Sequence, residues 1–124
     1  MKIELLTDES IIDTWAIIYT TPDSGKYNGK LTITTKRLLF DAKSNVPVKA
    51  FLDEEWLAKW KRDGYLEINK ADLKYILVEK TLLVKKVTLT LADGSKHTFN
   101  YGVLNIDKVV EAIRSNCAIL DLQH

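Results

Sequence analysis

The sequence contains little of what commonly cross-links or anchors a small domain. Cysteine occurs once, at Cys117, so an internal disulfide and a zinc site built on several thiolates are excluded. No apolar run is long enough to cross a bilayer as a helix. The short run at residues 1–6 contains a glutamate and lacks a cleavage site of small residues, so it does not resemble a signal peptide. These absences predict a protein of a reducing compartment, the cytoplasm.

Charges of the two signs are nearly balanced and are mixed along the chain. Lysine and arginine number 18 and aspartate and glutamate 17, so the formal net charge is +1. Such a chain has no long-range positive field to attract a nucleic acid, and we expect no nucleic-acid partner. Its 124 residues, of which 46% are hydrophobic and 28% charged, are typical of one globular domain spanning residues 1–124.

The pattern of apolar residues in the first half of the chain predicts a hairpin of defined register. A four-residue loop at 34–37 places Ile33 opposite Leu38. Leu31 then faces Phe40, so all four apolar side chains point to the same core. A shift of one residue would turn them outward, which means that the sequence itself specifies the pairing.

A second hairpin is predicted around Asp93 and Gly94. A two-residue turn at these positions would put the apolar residues of the two strands on opposite faces. A three-residue loop at 92–94, with Gly94 in the left-handed conformation, pairs Val87 with Phe99 and keeps the apolar residues together. We therefore expect the three-residue loop.

Three further segments have the composition of strands, at residues 11–19, 65–69 and 75–80. Asn28 and Gly29 form a turn signal ahead of the first hairpin. Counted from the end of the first strand, they predict a first loop of about ten residues.

An amphipathic helix is predicted at residues 53–63, within a helical insertion at about 50–64. Acidic residues occupy its first turn and basic residues its last, which complements the helix dipole. Leu52, Trp56 and Trp60 recur every four residues and therefore share one face.

The chain is predicted to end with a capping helix at about residues 105–117. Asn105 is the expected N-cap, and Asp107 lies in the first turn. Residues 121–124 are expected to fray. The helix carries one apolar stripe, formed by Ile106, Val109, Val110, Ile113 and Cys117.

Taken in order, these pieces resemble a GRAM domain or bacterial PH-like domain of the pleckstrin-homology-like superfold, over about residues 6–116. The resemblance implies a mainly β fold: a partly open antiparallel β-barrel of about seven strands, capped by the C-terminal α-helix. The amphipathic helix inserted between the third and fourth strands departs from the family, which usually has a shorter link there. The matching pieces are the acidic lead-in at 6–9, the hairpin of 29–40, residues 72–76, the hairpin of 89–99 and the final helix.

The resemblance implies binding of lipid headgroups, membranes, peptides or other domains, without catalysis. Phosphoinositide-binding PH domains hold phosphates with a lysine on the first strand and a Lys/Arg-x-Arg pair on the second. In this chain Thr32 stands where the pairing arginine would be, so bidentate recognition of a phosphate is missing. The candidate anion-binding or lipid-binding residues are Lys26, Lys30, Lys36 and Arg37, and the alternative is that they are ordinary solvated charges.

The face formed by Leu52, Trp56 and Trp60 is the other candidate site. Burying an aromatic side chain of about 150–250 Å² contributes about 4–6 kcal/mol, so the tryptophans are expected to pack against something. The helix has four acids against three bases, which does not favour an anionic membrane. The face is either a lid on the domain's own barrel or a surface for a partner, of which a second copy of the chain is one version.

Catalysis is not expected. His97 lies within a strand with no serine or acid at a spacing that guarantees contact, and Cys117 lies on the apolar stripe of the final helix. No metal-ligand motif, phosphate loop or nucleophile elbow is present, so we expect no cofactor and no metal. The sequence predicts a binding or adaptor module for protein interaction or self-association. The alternative is peripheral binding of anionic membrane lipids at the inner membrane surface.

Overall fold

The computed structural model describes residues 4–21, 25–42, 65–117 and 121–123. They form strands, one short 3₁₀ helix and one α-helix. The strands are β1 (Ile11–Thr20), β2 (Lys26–Thr34), β3 (Arg37–Ala42), β4 (Tyr65–Asn69), β5 (Leu73–Lys80), β6 (Lys85–Leu91), β7 (Lys96–Asn100) and β8 (Asp121–Gln123), and the helices are the 3₁₀ helix Lys70–Asp72 and α1 (Asp107–Arg114).

Seven strands form an open antiparallel sheet in the order β4, β3, β2, β1, β7, β6, β5. The eighth strand, β8, adds to β5 in parallel and faces Tyr75, Ile76 and Leu77. The mainly β architecture with one C-terminal helix agrees with the prediction. The expected fraying at the end of the chain is wrong for β8, because these residues pair with β5.

The first hairpin has the predicted register. Ile33 faces Leu38 and Leu31 faces Phe40 across β2 and β3, and all four side chains are buried. The prediction is confirmed because the two apolar faces match in one alignment.

Gly29 lies inside β2, and the predicted turn at Asn28 and Gly29 is wrong. A side chain at Gly29 would place its Cβ 2.2 Å from the carbonyl oxygen of Asp41 and 2.7 Å from Cζ of Phe40. The glycine therefore permits a close approach between β2 and β3 rather than a turn. Thr20 at the end of β1 pairs with Lys26 at the start of β2, so the loop between them is limited to residues 21–25. This is about half of the expected length.

The second hairpin also follows the sequence. Gly94 has a φ of 89°, in the left-handed region, and Val87 faces Phe99. The N–H of Leu91 donates to the carbonyl of Ser95 at 2.9 Å, which closes the three-residue loop. Both the loop length and the glycine conformation are confirmed.

The core lies between the inner face of the sheet and α1. Three aromatic rings lie at its centre: Tyr19 is 5.3 Å from both Phe40 and Phe99 between ring centroids. Ile106, at the start of α1, is fully buried. The helix adds to this core Val109, Ala112 and Ile113.

The capping helix is shorter than predicted. It begins at Asp107 with Ile106 as the N-cap residue, so the expected N-cap at Asn105 is displaced by one residue. Asn105 Oδ1 still accepts a hydrogen bond from the N–H of Asp107 at 2.8 Å. It ends at Arg114, because Ser115 adopts an extended conformation and Asn116 a positive φ of 54°. Cys117 consequently lies beyond the helix rather than on its apolar stripe.

The predicted helix at residues 53–63 and its face of Leu52, Trp56 and Trp60 lie outside the described residues, so both stay predictions. Within the described ranges, α1 and every other helical segment are too short or too polar to cross a membrane.

Candidate functional site

The four basic residues predicted from the sequence do not come together. Lys26 and Lys30 are exposed on the outer face of β2, about 13 Å apart along the strand. Lys36 and Arg37 follow the far end of that strand. A single anion could not contact the first and the last of these residues at the same time.

The guanidinium of Arg37 is buried and bound by carboxylates. Its Nε donates to Glu9 Oε2 at 2.8 Å and its Nη2 donates to Glu9 Oε1 at 2.7 Å. Nη1 lies 3.4 Å from Glu67 Oε1. The Arg37 hydrogen bonds hold the pKa of Glu9 at about 2, well below its usual value of 4.5. Arg37 is therefore engaged inside the protein rather than presented to a ligand.

The same corner holds the N-terminal segment in place. The Nη2 of Arg37 also donates to the carbonyl of Glu4 at 3.0 Å, and Lys36 Nζ donates to the carbonyl of Thr7 at 2.7 Å. The hydroxyl of Thr34 donates to Glu9 Oε2 at 2.5 Å. Sequence reasoning missed Glu9 as the partner of Arg37, because 28 residues separate them and no local pattern joins them.

His97 is buried within a chain of polar side chains. Its Nδ1 lies 2.6 Å from the hydroxyl of Tyr19, and its Nε2 lies 3.2 Å from Ser95 Oγ. Ser95 Oγ in turn donates to Asp93 Oδ1 at 2.6 Å. Burial lowers the pKa of His97 to about 4, so the ring is neutral at pH 7. The sequence did not predict the contact with Ser95, although Ser95 directly precedes β7 and stands two positions before His97.

This chain of hydrogen bonds does not prepare Ser95 as a nucleophile. Because the Ser95 proton goes to Asp93, the Nε2–H of His97 is assigned as the donor to Ser95 Oγ and Nδ1 as the acceptor from Tyr19. A general base would need a lone pair, not a proton, directed at the serine. The arrangement fits a satisfied buried histidine.

A groove runs between β5 and α1. Its volume is about 1010 Å³, and Val78 and Val110, both half-buried, face it from the strand and from the helix. Charged side chains of both signs surround these valines: Glu79, Lys80, Asp107, Glu111 and Arg114. The described parts of the chain thus contain a cleft with apolar walls and a polar border, as binding sites commonly have.

Both ends of α1 are connected to the rest of the fold beside the groove. At the C-terminal end of α1, Lys70 Nζ donates to the carbonyls of Ala112 and Ser115, each at 2.8 Å. A lysine ammonium at the carbonyl end of a helix also complements the helix dipole. Burial lowers the pKa of Lys70. At the N-terminal end, Lys80 Nζ pairs with Asp107 Oδ1 and connects β5 to the first turn of α1.

The outer edge of β5 forms one wall of the groove. On its inner edge β5 pairs with β6 along nearly its whole length. On its outer edge β8 covers Tyr75, Ile76 and Leu77, so among the described strands none pairs with the outer edge at Val78 and Glu79. Backbone N–H and C=O groups at such an edge are available to a further extended segment.

Comparisons with known proteins place the fold but not a family. No protein-family model matches this sequence, and a search of curated proteins found no match. Among solved structures, the C-terminal domain of an unknown protein from Leishmania infantum is similar, with a TM-score of 0.62 and 15% identity over 89% of this chain and 85% of the other. The hSac2 domain of the human phosphoinositide phosphatase Sac2 has a TM-score of 0.52 and 15% identity over 96% of this chain and 77% of the other. The hSac2 domain has a PH-like fold, and the sheet of this chain fits that fold.

Proposed function

We propose that the protein is a non-enzymatic binding module of the PH-like type, which binds an extended segment of a partner protein along the outer edge of β5. The observation that carries this proposal is β8: three residues of the chain itself already lie on that edge as a parallel strand. An edge that pairs with one extended segment can pair with another, because main-chain hydrogen bonds do not depend on the side chains.

The walls of the groove indicate the kind of segment that fits. Successive side chains of an extended peptide point in opposite directions, so every second residue would face Val78 and Val110. Apolar peptide residues at alternate positions would pack against these two valines. The peptide residues between them can carry either charge, because the border of the groove has charged side chains of both signs. The segment is expected to resemble a strand, with no proline at its central positions.

The absence of catalysis is part of the same proposal. Ser95 and His97 carry their protons in an order that does not activate the hydroxyl, as described above. In the described part of the chain no three metal-ligating side chains form a cluster that could hold an ion. The proposal rests on recognition by the groove.

The proposal can be tested with a labelled peptide of residues 118–124 as the probe. Leu122→Pro removes a backbone donor from the middle of β8 and is expected to release the edge of β5. Fluorescence anisotropy should show the probe binding more tightly to Leu122→Pro than to the unchanged chain, because its own strand no longer competes.

Val110→Arg, combined with Leu122→Pro, supplies the critical control. It fills the groove and should weaken probe binding, whereas Val103→Arg adds the same side chain outside the groove and should leave binding unchanged. Two results would show that the edge of β5 is not a peptide site. The first is equal probe binding by the unchanged chain and Leu122→Pro. The second is equal probe binding by the Val110→Arg and Val103→Arg variants.

A further inference from the structure

Two loops lie side by side at the end of the sheet where α1 begins. The first is the turn at 81–84 between β5 and β6, and the second joins β7 to α1. The N–H of Lys85 donates to the carbonyl of Gly102 at 2.7 Å, and the N–H of Tyr101 donates to the carbonyl of Lys85 at 2.8 Å. The main chain therefore holds the two loops together as one surface.

The turn between β5 and β6 is tight and presents two leucines. The N–H of Thr81 donates to the carbonyl of Val84 at 2.7 Å, and the N–H of Val84 donates to Thr81 Oγ1 at 3.0 Å. The two positions between them are Leu82 and Leu83, with 86% and 69% of their surface exposed. Neither leucine has a positive φ, so the turn itself does not select them, although glycine, asparagine, aspartate and proline are the more usual residues of such turns.

The neighbouring loop adds two more apolar side chains. Val103 is 63% exposed and Leu104 is 55% exposed, directly after Gly102. We call Leu82, Leu83, Val103 and Leu104 the apolar tip. Single exposed apolar residues are normal, but several on two joined loops mark an interaction surface.

Lysines lie directly behind the apolar tip. Lys80 and Lys85 face each other across β5 and β6, although like charges in opposite positions are unfavourable in a sheet. Lys86 follows Lys85, and Lys108 is exposed in the first turn of α1. Two of these lysines have acidic partners: Lys80 pairs with Asp107, and Lys86 lies 4.0 Å from Glu79. Positive charge is therefore in excess around the tip.

We infer that the apolar tip inserts into an anionic lipid bilayer and that the lysines behind it contact the headgroups. The surface has an apolar end with basic residues two to four positions further along the chain, which is the order that the acyl and headgroup layers present. It consists of protruding turns rather than a cleft, so it has no walls to enclose a peptide. Charge complementarity favours an anionic membrane over a neutral one.

This inference does not depend on the proposed peptide site, although the two are neighbours. Lys80, Thr81 and Asp107 line the end of the groove nearest to the tip. A domain held on a membrane by the tip would present the mouth of the groove close to the bilayer surface. A membrane protein with an extended segment near the bilayer would then meet both surfaces at once.

The test uses the full chain and sedimentation with vesicles of phosphatidylcholine alone or with about a third phosphatidylserine. The unchanged protein should bind the anionic vesicles, and less strongly as salt is raised. Leu82→Ser with Leu83→Ser should lower the partition coefficient about tenfold or more, because two leucines no longer leave water. Their exposure means that the thermal unfolding midpoint should not fall.

Leu5→Ser with Leu6→Ser is the matched control. These adjacent leucines are about half exposed, at 47% and 51%, and they lie on the N-terminal segment. The control should bind vesicles like the unchanged protein. Equal losses in the two double variants would overturn the inference, since they would show a general effect of surface hydrophobicity.

A second pair of variants compares two groups of lysines. Lys85→Gln with Lys86→Gln should weaken binding about fivefold for each charge removed and reduce the salt dependence. Lys26→Gln with Lys30→Gln changes the exposed lysines of β2 and should have little effect. If the β2 pair lowers binding and the pair behind the tip does not, the lipid surface lies on β2 and the inference is wrong.

Insertion can also be observed directly. Leu82→Cys in a Cys117→Ser background allows a polarity-sensitive fluorophore to be attached at the tip. Its emission should shift to the blue when anionic vesicles are added. The inference would be overturned if the emission did not shift and the protein did not cosediment with vesicles under any condition. It would also be overturned if Leu82→Ser with Leu83→Ser abolished self-association but left vesicle binding unchanged.

Discussion

Replacing Glu9 with glutamine should destabilise the protein in a way that depends on pH. The substitution keeps the shape of the side chain but removes the charge that Arg37 binds through two hydrogen bonds. Among the described residues, Arg37 would keep a distance of 3.4 Å to Glu67 as its remaining contact with an acid. A buried charge that loses its main partner is among the costly changes that a single substitution can make.

The magnitude follows from the pKa of Glu9. The folded protein holds it at about 2 against an ordinary value of 4.5, and each unit corresponds to about 1.4 kcal/mol, which sets an upper limit of about 3–4 kcal/mol. A glutamine at this position can still accept a hydrogen bond from Arg37, which offsets part of the loss. We expect Glu9→Gln to cost about 2 kcal/mol at pH 7.

The sign of the pH dependence is also determined. Because folding lowers the pKa of Glu9, its contribution is fully present above about pH 4.5 and is lost as the pH falls toward 2. The difference in unfolding free energy between the unchanged protein and Glu9→Gln should therefore shrink over this interval. Urea denaturation at several pH values, followed by tryptophan emission, measures it directly.

Glu79→Gln provides the comparison. Glu79 lies 4.0 Å from Lys86 and both side chains are more than a third exposed, so this change should cost less than about 0.5 kcal/mol at any pH. The reasoning would be refuted if Glu9→Gln were as mild as Glu79→Gln at pH 7. A penalty that stayed constant down to about pH 2 would refute it equally, because the cost would then not come from the carboxylate.

Three further changes test other contacts. Gly29→Ala should destabilise the protein by about 1–3 kcal/mol, because its Cβ would overlap the carbonyl of Asp41; a thermal midpoint equal to that of the unchanged protein would contradict this. His97 should make stability fall as the pH is lowered from about 6.5 to 4, since the unfolded chain binds a proton that the folded one excludes, and His97→Gln should lose that part of the pH dependence. Lys70→Met should lower the free energy of unfolding by about 1–3 kcal/mol and speed amide hydrogen exchange in the last turn of α1, because the carbonyls of Ala112 and Ser115 lose their donor. Unchanged exchange would show that the lysine does not hold the end of the helix.

The sequence predicted the two hairpins in full because their registers depend on local patterns. Ile33 opposite Leu38, and Val87 opposite Phe99, follow from alternation and from the residues in the turns. Gly29 was misjudged for the opposite reason: its role depends on Phe40 and Asp41 of the next strand, which no turn rule considers. The pairing of the hairpin strands could be predicted from patterns within each strand. The role of Gly29 could not, because it depends on a contact between strands.

The candidate sites were harder to predict because each depends on distant parts of the chain. Arg37 was predicted to be an anion-binding residue because it follows the second strand. Its hydrogen bonds to Glu9 could not be predicted, because 28 residues separate the two in the sequence. The groove depends on how α1 lies against β5, and the apolar tip depends on two loops meeting. Neither arrangement has a signature in one stretch of sequence.

The contacts of Lys70 also have a consequence for the order in which the protein folds. Its ammonium bonds to Ala112 and Ser115, which lie 42 and 45 residues later in the chain. Tyr19 and His97, which join the first and seventh strands, are 78 residues apart. Such distant partners impose a large loop-closure cost before they stabilise anything, so the final packing should form slowly and late. During synthesis on a ribosome, the ammonium of Lys70 would stay hydrated until residue 115 had emerged. Only then could α1 pack against the sheet.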